Sequence, residues 1–233
     1  MLYSSDKPSF HIVWAVLNGL DKEVRLLIDP PNGTKENPAT TCKELLMCHP
    51  DLPDGYYYID PNQGCPLDSL LVYCNFTAGG ETCIFPSQDQ VPMKAWLKEY
   101  SRNRFEWLSL LPGAISIEYS GAGTVQLRFL KLNSAFVSQK VTYSCKSSST
   151  LVTDGNKQRQ RQKDIKFLAN TREQSFLGTL TECSDGAEGV YEDTVFHFAT
   201  EQLDLLPLRD LAIFNIGDDS QEFSFIVGPV CFS

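Results

Sequence analysis

The sequence predicts an α+β fold: a short N-terminal coiled-coil stalk followed by a disulfide-rich, mostly antiparallel body. Three observations carry that reading. Apolar residues recur at three- and four-residue intervals from Phe10 to Leu27, a proline-rich break follows, and beyond Thr40 the chain turns to β-branched and aromatic runs among eight cysteines. Five of those cysteines, Cys42, Cys48, Cys65, Cys74 and Cys83, fall within 42 positions.

In the N-terminal segment Phe10, Val13, Leu17, Leu20, Val24 and Leu27 occupy the a and d positions of a heptad, which places them along one helical seam. Asp21 and Arg25 add a favourable i,i+4 pair, whereas Gly19 costs about 1 kcal/mol relative to alanine. Fewer than three heptads cannot hold strands together unaided, because helix nucleation is costly. The same periodicity also suits an amphipathic helix packed on its own domain. Pro30-Pro31-Asn32-Gly33 ends the helix, and the stretch to Pro38 reads as a linker. Residues 1–36 are accordingly expected to form stalk and linker, and 37–233 the globular body.

A short helix is expected from Thr41 to Met47, where Thr41 can cap and Glu44 stands three residues on, as in a capping box. Strands are expected at Gly55–Ile59, Leu70–Phe76, Ala114–Tyr119, Thr124–Leu132, Val141–Tyr143, Val195–Phe198 and Glu222–Val227. There is no internal repeat and no Gly-X-Y tract.

Thiols at this density persist as disulfides or metal ligands, and the paired C-x2-C or His/Cys spacing of zinc sites is missing. Disulfides in an oxidising compartment are the better reading, although eight cysteines allow 105 pairings and spacing assigns none of them. With 233 residues and 42% hydrophobic content the chain can bury a large core without such staples. A net charge of -9 argues against nucleic acid or an anionic membrane as partner. The apolar stretch Ile12 to Leu17 is too short for a membrane span or a signal peptide, so the chain is read as a fragment of a longer precursor.

Asp60, Asn62 and Asp68 place three hard oxygen side chains within nine residues, the ligand type calcium prefers, and Gly64 permits a sharp turn. The loop is not an EF-hand, because Leu71 stands where the bidentate glutamate belongs. Read by itself, Asp-Pro-Asn-Gln-Gly is more often a plain turn. Enzymatic readings find little support. His11, His49 and His197 are the three histidines, and no G-x-S-x-G, H-E-x-x-H or phosphate loop is present.

The strings Asn37-Pro38-Ala39-Thr40-Thr41-Cys42, Tyr58-Ile59-Asp60-Pro61-Asn62-Gln63-Gly64-Cys65, Val72-Tyr73-Cys74-Asn75, Gly80-Glu81-Thr82-Cys83 and Val227-Gly228-Pro229-Val230-Cys231-Phe232 occur in that order. Together they resemble the C-terminal propeptide of fibrillar procollagens, over residues 37–233, with the helical segment where that family carries one. Asn75-Phe76-Thr77-Ala78-Gly79-Gly80 looks more like the minor fibrillar types (V/XI or XXIV/XXVII) than the major ones. Gly55 to Ile59 with Val72-Tyr73-Cys74 is also similar to secreted fibrinogen-related, lectin-like recognition domains, the competing reading.

The procollagen resemblance implies a trimer with a helical stalk and fibrinogen-like petals, which brings together two further procollagen chains, as a homotrimer or heterotrimer. It implies intrachain bonds Cys42 to Cys74, Cys83 to Cys231 and Cys145 to Cys183, with Cys48 and Cys65 bonding between chains. An intrachain Cys48 to Cys65 bridge is the alternative. It further implies Ca2+ held by the side chains of Asp60, Asn62 and Asp68 and the carbonyls of Gln63 and Cys65. Chain selection would fall between Glu118 and Ser134, in a stretch shorter here than in the major collagens. A processing metalloproteinase would cut near the stalk, with Ser5-Asp6 as a weak candidate. The expected location is the endoplasmic reticulum lumen during assembly and the extracellular matrix afterwards. Sequons stand at Asn32 and Asn75, and Asn32 in the linker is the better acceptor. Lys157, Arg159, Arg161 and Lys163 form a basic run that reads as a solvated loop, with a matrix-facing patch as the lesser reading.

Overall fold

Alternating buried side chains on two extended C-terminal strands organise the body of the molecule. A computed structural model describes residues 9–64, 66–94, 96, 104–113, 116–119, 121–147, 162–171, 175–181, 191–214 and 221–233. Its elements are α1 (Phe10–Ile28), α2 (Cys42–Cys48), β1 (Gly55–Ile59), β2 (Leu70–Asn75), β3 (Glu81–Ile84), β4 (Gln90–Lys94), β5 (Phe105–Trp107), α3 (Thr124–Leu132), β6 (Val137–Ser147), β7 (Gln162–Leu168), β8 (Ser175–Thr181), β9 (Tyr191–Thr200), β10 (Asp210–Phe214) and β11 (Gln221–Phe232).

A seven-stranded sheet runs β1-β2-β3-β11-β6-β9, with β4 also paired to β11. Every pairing of these named strands is antiparallel. Strand β11 is paired along both edges: β6 lies on one side, while β4 and then β3 take the other. Its register shifts between Val227 and Val230, where Gly228-Pro229 interrupts the ladder. A proline there has no donor to contribute, so a bulge is the expected accommodation. The second sheet runs β5-β10-β7-β8. It meets the first through aromatic contacts, with the Phe167 ring 5.0 Å from Phe196 and 4.8 Å from Phe198. Phe223, Phe225 and Tyr143 continue the core along the β6-β11 pair.

Two disulfides close the larger sheet. Cys83 and Cys231 face each other directly in the β3-β11 register and are bonded, with their Cα atoms 4.0 Å apart. Cys42 at the start of α2 is bonded to Cys74 in β2. The chain-entropy model gives closures of 148 and 32 residues about 5 and about 4 kcal/mol. Helix α2 begins as its sequence dictates. Thr41 Oγ1 accepts from the Glu44 N–H at 3.2 Å, while the Glu44 carboxylate reaches back to the Thr40 N–H rather than that of Thr41.

Two expected strands are corrected. Thr124–Leu132 is helix α3, not a strand. Alternation would bury Val125, Leu127 and Phe129 together, yet Val125 is 57% and Phe129 40% exposed. The buried set is Gln126, Leu127, Leu130 and Lys131, one stripe of a 3.6-residue period. Ala114–Tyr119 forms no strand among its described residues, 116–119. Ile117 and Tyr119 do alternate inward, but the Glu118 carbonyl is taken by the N–H and hydroxyl of Ser87, outside any ladder. The other five expected strands lie within or overlap β1, β2, β6, β9 and β11.

The stretch from Pro30 to Pro38, read as a linker, is docked on the body. The Gly33 carbonyl accepts from Tyr58 N–H at 2.8 Å, and the Asn37 amide donates to Pro30 O. His49 Nε2 lies 3.1 Å from Pro31 O. By contrast α1 is uncovered: Phe10, Leu17, Leu20 and Val24 are 78, 58, 52 and 48% exposed. No described helix is long and apolar enough to cross a membrane.

Gly80 joins the β2-β3 turn to α2 with φ +89°, and a Cβ there would lie 2.8 Å from Lys43 Cα. Both the backbone conformation and the space exclude a side chain. Gly80→Ala is therefore expected to cost about 1 to 3 kcal/mol of stability in denaturant titration of the oxidised chain; an unchanged midpoint would contradict this packing.

Candidate functional site

Between β1 and β2 the chain crosses from Asp60 to Ser69, and α3 lies against that crossing. Asp60 follows the last residue of β1 and is 5% exposed. Its N–H donates to Ala39 O at 2.7 Å and its carbonyl accepts from Gln63 N–H at 3.1 Å, closing a turn in which Gln63 has φ +51°. Asn62 Nδ2 donates to Asp68 Oδ2 at 3.2 Å. The Gln63 side chain donates to Thr40 Oγ1. Asp60, Asn62, Gln63 and Asp68 are thus placed in one folded loop, while Cys65 lies outside the described residues.

Helix α3 supplies a residue that the sequence reading did not single out. Gln126 is 4% exposed, and its Nε2 donates to Asn62 Oδ1 at 3.0 Å and to the Asp68 carbonyl at 2.9 Å. At the other end of the helix Asn133 Nδ2 donates to Pro61 O at 3.3 Å. The misreading of α3 as a strand concealed Gln126, because it sits on the helix's buried stripe beside Leu127 and Leu130.

The loop's electrostatics are one-sided. Burial, and then the neighbouring charge of Asp68, push the Asp60 carboxyl up from its ordinary range, with the Gln126 hydrogen bond opposing them. Asp60 Oδ1, Gln126 Oε1 and Ser69 Oγ are buried and have no hydrogen-bond partner. Buried acceptors without donors are costly, and the two that belong to Asp60 and Gln126 are hard oxygens in a negatively charged loop. These residues fit an oxygen-seeking cation such as calcium. Asp60, Asn62 and Asp68 would hold it with their side-chain oxygens, together with the carbonyls of Gln63 and Cys65.

One other metal-like grouping brings together Glu81, Cys83 and Cys231. Both sulfurs are already joined in a disulfide, so no thiolate remains there. A polar cleft is lined by Ser109, Glu118, Tyr119, Arg209 and Asp210, among others. Asp210 is structural: it accepts from the Ser109 N–H and hydroxyl and from Leu211 N–H.

The remaining cysteines divide clearly. Cys48, at the end of α2, is a free thiol, and Cys65 lies outside the described residues. Cys145 is disulfide-bonded, and its partner lies outside the described residues, as does Cys183. Asn32 is exposed, and its Oδ1 accepts from the Thr34 N–H and hydroxyl. Asn75 is half-buried, with its Nδ2 donating to Glu81 Oε2 at 3.2 Å. Of the basic run only Lys163 falls in a described element, β7, and Ser5-Asp6 lies outside the described residues.

A family model for the fibrillar collagen C-terminal domain matches residues 10–232 of this chain, from the first residue of α1 to the last of β11.

Burial, and then the Glu44 charge, raise the Cys48 thiol above its ordinary pKa. A raised pKa leaves less thiolate at neutral pH, and thiolate is the reactive form. Iodoacetamide is therefore expected to label Cys48 of the single chain more slowly than free cysteine at pH 7, and Glu44→Gln to quicken it. A rate equal to free cysteine would contradict the shielding.

Proposed function

The chain belongs to the fibrillar collagen C-terminal domain family, structural propeptide domains of the extracellular matrix, and on that premise we propose that it clasps three procollagen chains through a calcium-organised, disulfide-locked interface near the stalk. The observation that carries this reading is the bare seam of α1. Phe10, Leu17, Leu20 and Val24 keep the coiled-coil spacing and stand about half or more exposed among the described residues. An exposed apolar stripe of that length is stabilised by other helices carrying the same stripe.

Collagen triplets all look alike, so three chains would pair in many registers without a fixed starting point. Joining their C-termini fixes the register. It also raises the effective concentration of the next triplets to the millimolar range typical of short tethers, so the triple helix grows without another three-body encounter. The free thiol of Cys48 supports an interchain bond to Cys65 of a neighbouring copy. Cys183 is then the proposed partner of Cys145.

Chain selection would use the outer face of α3. Val125, Phe129 and Leu132 are 57, 40 and 78% exposed and lie four and three residues apart, an apolar stripe on the side away from the buried set centred on Leu127 and Leu130. This stripe falls within the stretch to which the family resemblance assigns partner choice. The protein would assemble in the endoplasmic reticulum lumen, be cut by a processing metalloproteinase near the stalk, and act in the extracellular matrix. Residues 1–36 would form the stalk and linker and 37–233 the globular domain, with the linker from Pro30 docked on that domain.

Light scattering and non-reducing electrophoresis of the oxidised full chain test the proposal. A trimer is expected in millimolar calcium, Cys48→Ser should remove the covalent trimer band, and Asp60→Ala should reduce trimer yield severalfold. A chain that stays monomeric in calcium would sink the reading.

Glycan placement follows from the two asparagines. The Asn75 amide is committed to Glu81 while the Asn32 amide is exposed, so mass spectrometry of the secreted chain is expected to find glycan on Asn32 and none on Asn75. Occupancy at Asn75 would contradict this.

A further inference from the structure

We infer that Gln126 is a member of the cation site, its amide nitrogen orienting Asn62 and Asp68 and its oxygen joining the oxygen set, so that ion binding fixes α3 against the loop. The inference rests on the calcium reading above. It goes beyond that reading by adding a residue from a different element, nearly 60 positions away in the chain.

Two independent observations support it. The first is the pair of hydrogen bonds from Nε2 to Asn62 Oδ1 and to Asp68 O. Both acceptors lie on loop residues that would bind the ion, and both bonds require the amide nitrogen to face them, which fixes the orientation of the group. The second is that Gln126 Oε1 is left buried without a donor, in a residue 4% exposed, as is Asp60 Oδ1 in a residue 5% exposed. A buried amide satisfied on one side only wastes its acceptor, and a cation seated by Asp60 would use both orphaned oxygens.

The consequence concerns α3 as a whole. Gln126 anchors its first half and Asn133 its C-terminal end to the same loop. The exposed stripe of Val125, Phe129 and Leu132 is carried on the opposite face. Ion occupancy would therefore set the position in which that stripe is presented.

Calcium titration calorimetry on the full oxidised chain, with thermal midpoints in chelator and in calcium, tests this. Gln126→Leu is expected to weaken calcium about 10-fold or more, as loss of groups that orient metal ligands does. Its midpoint should fall further in calcium than in chelator, whereas a merely structural glutamine would lower both equally. Gln126→Glu is expected to lower the midpoint in chelator, where three carboxylates repel, yet bind calcium more tightly than Gln126→Leu. Calcium affinity of Gln126→Leu within twofold of the parent would overturn the inference while leaving the calcium reading intact. Gln126→Glu binding no tighter than Gln126→Leu would overturn the role given to the oxygen. A parent chain that binds no calcium would overturn both the inference and the calcium reading beneath it.

Discussion

The pairing of β11 along both of its edges is the constraint on which this architecture depends. One strand of 12 residues holds β6 on one side and β3 and β4 on the other, and Cys231 pins it to Cys83 from 148 residues earlier. Such non-local pairing carries a large loop-closure cost before any contact rewards it. Once formed, it fixes the β2-β3 hairpin, and Cys74 in that hairpin fixes α2 through Cys42. The docked segment from Pro30 to Pro38 then follows, held by Tyr58 and His49. The position of the segment that follows α1 is in this sense set by the C-terminus.

The loop from Asp60 to Ser69 spans the two strands farthest from β11 on that side of the sheet, and it carries the least balanced chemistry among the described residues. Hydrophobic burial fixes the strands. It cannot satisfy the buried oxygens of Asp60 and Gln126. Protein elsewhere resolves such groups locally: Asp210 accepts three hydrogen bonds, and the buried Gln139 donates to Tyr119 and to the Gly228 carbonyl while accepting from Leu208 N–H. Both have donors for their buried oxygens. Asp60 Oδ1 and Gln126 Oε1 do not, and that contrast within one molecule separates a structural polar cluster from a receptive one.

Much of the fold was legible where a single local rule decided the outcome. The Thr41 cap, the Gly55–Ile59 strand and the alternation of Phe223, Phe225 and Val227 needed only period and capping chemistry. Strands β3, β4, β5, β7, β8 and β10 were not anticipated. Asp210–Ile213 is buried on both faces, so it shows no alternation to read. Glu81–Ile84 and Phe105–Trp107 are too short to carry a period. Helix α3 failed for a different reason. Its apolar residues at 125, 127, 129 and 130 fit two periods at once, and tertiary burial chose between them. The cation loop was legible as residue types, whereas Gln126 was not, because nothing in the spacing between 62 and 126 announces their contact.

The seam of α1 and the outer stripe of α3, both exposed among the described residues, differ in how they are supported. The seam of α1 is exposed, and in the proposed trimer it would be ordered as partners add their own. Helix α3 is instead held from behind by Gln126, Lys131 and Asn133, three polar anchors into the body. Lys131, 8% exposed, reaches Asp204 at 3.3 Å. A surface fixed by polar anchors discriminates between partners, because a wrong side chain cannot be accommodated by moving the helix. A surface on a helix without such anchors would discriminate poorly but gather chains readily. In the proposed assembly, selection on α3 and gathering on α1 would give each task to the helix whose support suits it, and would place the choice of partner beside the loop that carries the unpaired oxygens of Asp60 and Gln126.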